Sequence, residues 1–219
     1  DVPAAFFVVG RRFEAGKRAA DENAAVLDEI VRRGHLIGNH TLRHHDLSTM
    51  SRGDARDSIA RNENAITDRL GEPPALFRAP FGHVGEASGY LRSHHYTVVG
   101  WSIDPRDFVR TQTDTLRRRV VHDIVREHGG VVLLHDTKPW TARLLPGILA
   151  DLQAENCRRR ASGQRVIVPV SLHYFLRERS GGRRAVPPEV ARRTRRYLRR
   201  LPRRCAGSGP RVDKTGHSQ

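Results

Sequence analysis

Lysine is almost missing from this chain, with three residues against 36 arginines in a total of 219. Cysteine is scarce as well: Cys157 and Cys205 allow one disulfide, which says little about redox compartment, and no Cys-x-x-Cys occurs. No run of about 18 apolar residues is present, so no membrane-spanning helix is expected. There is no signal peptide, but that absence decides nothing, because DVPAAFFVVG enters a strand directly, with no initiating methionine. The chain reads as a cut piece. Acids are outnumbered 24 to 39, giving a formal charge of +15, enough to recruit nucleic acid, anionic glycans or acidic membrane surfaces. Part of the excess is spread evenly, as a coding bias would spread it, while eight arginines and no acid fall between Arg192 and Arg204. A folded domain with a basic tail is expected, without a dedicated nucleic-acid role.

What is present is globular patterning. The length supports one substantial core, and short apolar runs alternate with helical periodicities. Ala4 to Val9 reads as a strand covered on both faces, then a helix from Asp21 to Arg33 with Ala24, Leu27, Ile30 and Val31 as its stripe. A short strand at Leu36 and Ile37 precedes HLIGNHTLRHHDL, and Ser48 to Leu70 is again helical. Further strands are expected at Leu76–Arg78, Tyr96–Ile103, Val131–Leu134 and Val166–Val170, with helices at Glu86–His95, Thr113–His128 and Ala142–Asn156. This alternation predicts a parallel-sheet α/β fold of about six strands. From Gly181 the composition turns to a linker. Pro188 to Leu201 carries Val190, Tyr197, Leu198 and Leu201 at helical spacing, read as an extra helix against the domain, and disorder is expected after Pro202.

The polar residues of interest follow strands: His40 and His44, Arg78, Asp104 and Asp107, then His135 with Asp136. In parallel α/β folds the loops beyond the C-terminal strand ends form the active face. His40 and His44 stand four apart, so a helical turn after Asn39 would let both imidazoles share one metal ion. His45 would face away. Asp46 is either a substitute ligand or a helix cap. In WSIDPRDF one of Asp104 and Asp107 is expected to cap the turn and the other to pair with a histidine or arginine. VVLLHD leaves the His135 imidazole at the end of an apolar run, where a group titrating near neutrality can move protons. Trp140 is an aromatic wall for a sugar or a lid on the core.

Taken in order, HTLRH, RAPFG, DPRD and LLHD resemble the motifs of the NodB-homology polysaccharide deacetylases, carbohydrate esterase family four, from Val2 to about Phe175. The resemblance implies a distorted, incomplete (β/α) barrel over residues 1–180, with 181–219 as a basic appendage. It implies hydrolysis of acetamido groups on an amino-sugar polymer, chitin-like or peptidoglycan, outside the cell or in its envelope. The cofactor implied is a divalent metal, zinc or an ion such as cobalt, nickel or manganese, held by two histidines and an aspartate. Carried across, His40 and His44 are the metal histidines and Arg78 the arginine that orients a catalytic aspartate. Pro80 and Phe81 are the pair whose backbone polarises the substrate carbonyl. Asp107 supports the acid His135, and Leu134 lines the acetyl pocket. Phe81 stands where the family usually has tyrosine, and Phe108 where it has tryptophan.

The family's first motif, with paired aspartates, is missing. One acid of that pair is the general base and the other the third metal ligand, and no Asp-Asp dipeptide occurs in this sequence. This chain alone is therefore expected to have little activity. A catalytically silent glycan-binding protein is the alternative, and both readings require His40, His44, Asp107 and His135 to reach one cleft.

Overall fold

A computed structural model describes residues 2–13, 20–109, 113–179 and 188–206. Along the chain run β1 (Ala5–Val8), α1 (Ala20–Arg32), β2 (Leu36–Asn39), α2 (Arg52–Leu70), β3 (Leu76–Phe77), α3 (Ser88–Ser93), β4 (Thr97–Val98), α4 (Thr113–Arg126), α5 (Pro139–Ala161), α6 (Leu172–Arg179) and α7 (Pro188–Ala206). The α/β class holds. The described residues fall into two compact units, one within Asp1–Gly100 and Ser171–Ser180, the other within Trp101–Val170 and Gly181–Gln219.

The first unit is built on a parallel sheet in the order β1-β2-β3-β4. Its register pairs Val8 with Asn39, Asn39 with Phe77, and Phe77 with Val98. One row thus crosses all four strands, and the next residue of three of them, His40, Arg78 and Val99, leaves the sheet at the same edge. Their amides continue the ladder onto Val8, Asn39 and Phe77 carbonyls at 3.0, 3.0 and 2.8 Å. Beneath the sheet, α2 starts at Ser51, whose hydroxyl caps the Asp54 amide, and stops at Gly71 in a left-handed conformation. Its buried Ala55, Ile59, Asn62 and Ile66 recur at helical spacing, and Ala55 and Ile59 close on Leu47, Phe77, Leu91 and Tyr96. Burial of each such large side chain contributes roughly 1.5–3 kcal/mol.

Two readings of this unit need correction. The strand expected to be covered on both faces is half-buried throughout, because β1 pairs only with β2 and is an edge. In α1, Leu27 is buried but Val31 is 47% exposed, so the buried stripe is narrower than the apolar spacing implied.

The second unit is helical. Leu116, Val120 and Ile124 of α4 meet Leu144, Ile148 and Leu152 of α5, four-residue repeats packed face to face around Ile103. The strands expected at Val131–Leu134 and Val166–Val170 do not form. The first makes one parallel bridge, Ile103 to Val132, and the second is extended without a ladder. The bridge is a single rung because the amides of Ser102 and Ile103 both turn to the Val131 carbonyl, which leaves no regular alternation to propagate. The run from Tyr96 yields only Thr97–Val98 as strand, matched in register to the two residues of β3. α7 continues through Pro202 to Ala206 and packs on α5, with Leu201 1% exposed. Residues 181–187 and 207–219, read as linker and tail, lie outside the described residues. Among the described residues no helix is long and apolar enough to cross a membrane.

Candidate active site

Each unit holds part of the candidate chemistry. In the first, the segment after Asn39 is not helical, contrary to expectation. Thr41 and His44 take left-handed backbone conformations at φ 66° and 62°, which fold the loop back so that the two imidazoles meet edge to face, ring centroids 4.8 Å apart. Such conformations cost a residue other than glycine about 1–3 kcal/mol and persist only where the surroundings enforce them. Here a buried polar network does so. Asn39, fully buried, accepts from the Thr41 amide at 2.9 Å and from Asn62 at 2.8 Å, and donates to Ile59 O or Tyr96 Oη, each at 3.0 Å. The Thr41 hydroxyl takes the His44 amide at 3.1 Å. Gly10 docks on the same loop through the Thr41 carbonyl, and a Cβ there would stand 2.5 Å from Asn62 Oδ1. Tyr96 completes the network by donating to Glu63 at 2.5 Å. Burial first, and then that bond, push its phenol well above its ordinary pKa.

His40 Nδ1 lies 2.6 Å from the Arg78 carbonyl. A carbonyl only accepts, so Nδ1 carries the proton and the lone pair is placed on Nε2, the tautomer a metal ligand needs. Arg78 itself is buried, with Nε and Nη2 each 3.1 Å from the Val99 and Gly100 carbonyls and its guanidinium 4.2 Å from the Phe7 ring centroid. Burial lowers its pKa to about 10, which leaves it charged at neutral pH.

RAPFG supplies the remaining part of this half-site. Pro80 is buried, whereas Phe81 is 60% exposed with its ring 5.1 Å from that of His44. Phe81 has φ 56° and stands in the first turn of a 3-10 segment, Pro80–Gly82, where an N–H has no acceptor within the helix. Asp46 is a cap, not a ligand: it accepts from Ser48 N and Oγ at 2.9 and 2.7 Å and meets His83 at 3.0 Å. The Ser48 hydroxyl, then His83, lower its pKa to about 2. His45 is exposed.

In the second unit the two aspartates divide as expected. Asp104 accepts the Arg106 amide at 2.8 Å and closes the turn, in which Arg106 has φ 56°. Asp107 is fully buried, with Oδ1 2.7 Å from His135 Nδ1, and Oδ2 2.7 Å from both the His135 amide and the Thr141 hydroxyl. Burial raises the pKa of Asp107, but the bonds from His135 and Thr141 outweigh it, and the net displacement is downward. An ionised carboxylate only accepts, so His135 Nδ1 is protonated. Phe108 lies edge-on to the His135 ring at 5.4 Å, and Trp140 donates its indole N–H to the Asp107 carbonyl at 2.7 Å, so Trp140 braces the dyad as well as bordering it. Leu134 is half-buried beside it.

Sequence reasoning missed Asn39 and Thr141. Asn39 had a signal, a polar residue ending an apolar strand; Thr141 had none. The metal donor set fits in part. His40 and His44 present two imidazoles with one tautomer fixed, but among the described residues no three His, Cys, Asp or Glu side chains gather to hold an ion.

The polysaccharide deacetylase family model matches residues 1–99. The chain is 32% identical over 142 residues to a chitooligosaccharide deacetylase of Sinorhizobium fredii, covering 63% of this chain and 61% of that one. It is 28% identical over 138 residues to a peptidoglycan-N-acetylglucosamine deacetylase of Bacillus cereus, covering 63% and 47%. It therefore spans about half to three fifths of these relatives. In fold it is similar to a CE4 family pseudoenzyme from Bacillus anthracis, at TM-score 0.60 and 24% identity over 70% of this chain and 52% of that one.

Proposed function

We propose, from the match of residues 1–99 to the polysaccharide deacetylase family model, that the protein takes part in metal-dependent hydrolysis of N-acetyl groups on an amino-sugar polysaccharide of the cell envelope. The observation that carries this reading is the buried Asp107 held 2.7 Å from His135 Nδ1, a dyad suited to acid–base work. The Cys157–Cys205 disulfide favours an oxidising, extracytoplasmic setting. The relatives' names frame the substrate choice between chitooligosaccharide and peptidoglycan.

Cleavage of an acetamide needs water added to the carbonyl carbon, a negative charge stabilised on the carbonyl oxygen, and a proton delivered to the departing nitrogen as the C–N bond breaks. The family is generally metal-dependent, and His40 and His44 would hold the ion, with zinc, cobalt, nickel and manganese all compatible with imidazole. When bound, it supplies Lewis-acid polarisation of the carbonyl. The Phe81 amide offers a backbone N–H to the developing oxyanion, a contribution that does not depend on the tyrosine hydroxyl usual at that position. His135 delivers the proton to nitrogen from Nε2, while Asp107 holds the ring's orientation and stabilises the imidazolium. Deprotonation of the attacking water has no aspartate pair in this sequence to perform it.

The two-imidazole donor set among the described residues favours a second reading, a glycan-binding protein that does not turn over. Acetate release from acetylated chitooligosaccharides and peptidoglycan, with each divalent metal in turn, separates the two when oligosaccharide binding is followed by calorimetry in parallel. Acetate release lost in His135→Gln supports hydrolysis. Binding that survives His135→Gln, with no release from any substrate, supports the silent reading.

A further inference from the structure

α7 carries seven exposed arginines, Arg192, Arg195, Arg196, Arg199, Arg200, Arg203 and Arg204, and among the described residues none of the first six has an acidic partner. Several arginines elsewhere are paired, Arg32 and Arg33 with Glu29, Arg69 with Asp28 and Arg158 with Glu155, but none of these forms a row along one helix face. Arg192, Arg196, Arg199 and Arg203 recur at four, seven and eleven residues along one stripe, a row about 16 Å long at about 1.5 Å rise per residue, flanked by Arg195 and Arg200. Like charges at this spacing repel and destabilise a helix that has nothing else to hold it.

The opposite face is what holds it. Tyr197 shares a 2.7 Å hydrogen bond with the buried Asn156, Leu201 is buried, and Cys205 is bonded to Cys157 of α5. Apart from Leu198, which is 40% exposed, the described apolar side of this amphipathic helix is therefore held against α5 and cannot turn as a whole into a bilayer without breaking a covalent bond. What remains for a partner is a rigid row of guanidinium groups, recognised through charge and the planar two-point contact that arginine makes with phosphate.

We propose that this face of α7 docks a linear polyphosphodiester of the cell envelope. A linear polymer can lie along the stripe and meet successive arginines, and the disulfide places the helix in an oxidising setting where nucleic acid is not the usual polyanion. The choice of an envelope polymer rests on the envelope reading of the function; the charge row does not.

The test is binding of purified poly(glycerol phosphate) to the full chain, followed by calorimetry across a salt series. Binding is expected at about 150 mM salt, with log K falling linearly against log salt at a slope of about −3 to −4 for four to six neutralised phosphates. The triple variant Arg196→Gln, Arg199→Gln, Arg203→Gln should shrink that slope by about 2. Replacing the same three by lysine should keep the slope and lose part of the affinity. Both variants alter solvent-exposed side chains, and an unchanged thermal midpoint verifies folding. No binding at low salt, or a slope unmoved by the glutamine variant, overturns the proposal. Equal or tighter binding to single-stranded DNA of matched charge, or to phosphatidylglycerol vesicles, overturns it in favour of those partners. Polymer binding without acetate release would count against the hydrolase and leave this surface standing.

Discussion

The His40–His44 loop and the Asp107–His135 dyad both have to hold an imidazole in one tautomer, and they do it with opposite partners. His40 is anchored by a neutral backbone carbonyl at 2.6 Å and His135 by a buried, ionised carboxylate at 2.7 Å. In each ring Nδ1 keeps a proton; Nε2 of His40 is left with its lone pair, and Nε2 of His135 is the position from which a proton would pass. The difference lies in what the partner does to the ring's charge. A carbonyl fixes a neutral ring, which is what a cation wants as a ligand. A carboxylate stabilises the imidazolium, which is what a proton donor must pass through. The supports differ accordingly. The dihistidine loop stands on left-handed residues braced by neutral amides, and the dyad on a carboxylate bonded by the His135 imidazole and amide and the Thr141 hydroxyl.

If the division is real, one substitution in each half should leave the other's signature untouched. Asp107→Asn removes the charge but keeps the shape, and should lower kcat for acetate release by about 10³–10⁴ while zinc affinity measured by calorimetry stays the same. A parallel fall in zinc affinity would merge the two halves and break the comparison. Asn39→Leu does the reverse. It orphans the Thr41 amide in a buried site and should weaken zinc binding about 10–100-fold at a stability cost of about 1–3 kcal/mol. The apparent pKa values of the pH–rate profile, set by the dyad, should not move.

Sequence reading reached the two halves unevenly, for physical reasons. His135 was legible because it ends a short apolar run with a titratable group, Asp107 because it stands three residues after Asp104 in WSIDPRDF, and the Asx turn at Asp104 because the acceptor lies two residues from its donor. The His40–His44 pairing was right but the geometry behind it was not: a helical turn was expected, and two left-handed residues do the work. Neither Thr41 nor His44 is glycine or asparagine, so the sequence holds no local mark of positive φ, which is imposed through Asn62 of α2 and Tyr96, the residue before β4. Strand extent failed for a related cause. Four apolar residues at Val131–Leu134 satisfy a strand pattern, but a ladder also needs a partner in register, and that depends on distant chain.

Thr141→Val tests a finer point within the dyad. It removes one hydroxyl from Oδ2 and should cost about 1 kcal/mol at neutral pH. Asp107 has a depressed folded pKa, so its contribution is complete above the ordinary carboxylate value of about 4 and is lost as pH falls through the lower folded value. With one donor gone the folded pKa moves up toward the ordinary value. Acid loss of stability should therefore still begin near the ordinary carboxylate value but be smaller and finish at a higher pH in Thr141→Val, and chemical denaturation at stepped pH measures it. An unchanged acid limb would mean that His135 alone sets the charge state of Asp107.

The smallest effect should come from the aspartate three residues earlier. Asp104 is exposed and spends its carboxylate on the Arg106 amide, a local bond that water can replace, and Asp104→Ala should cost about 0.5–1 kcal/mol. The turn it closes holds Arg106 at positive φ and carries the chain into Asp107, so the substitution also asks whether the dyad needs that turn or only its own four partners. The bonds to the His135 imidazole, the His135 amide, Thr141 and Trp140 all come from the chain beyond His135 rather than from the turn. That arrangement predicts kcat and zinc affinity within about twofold of the parent protein, the scale of a surface change. A loss approaching that of Asp107→Asn would instead make the turn the element that sets the dyad's geometry.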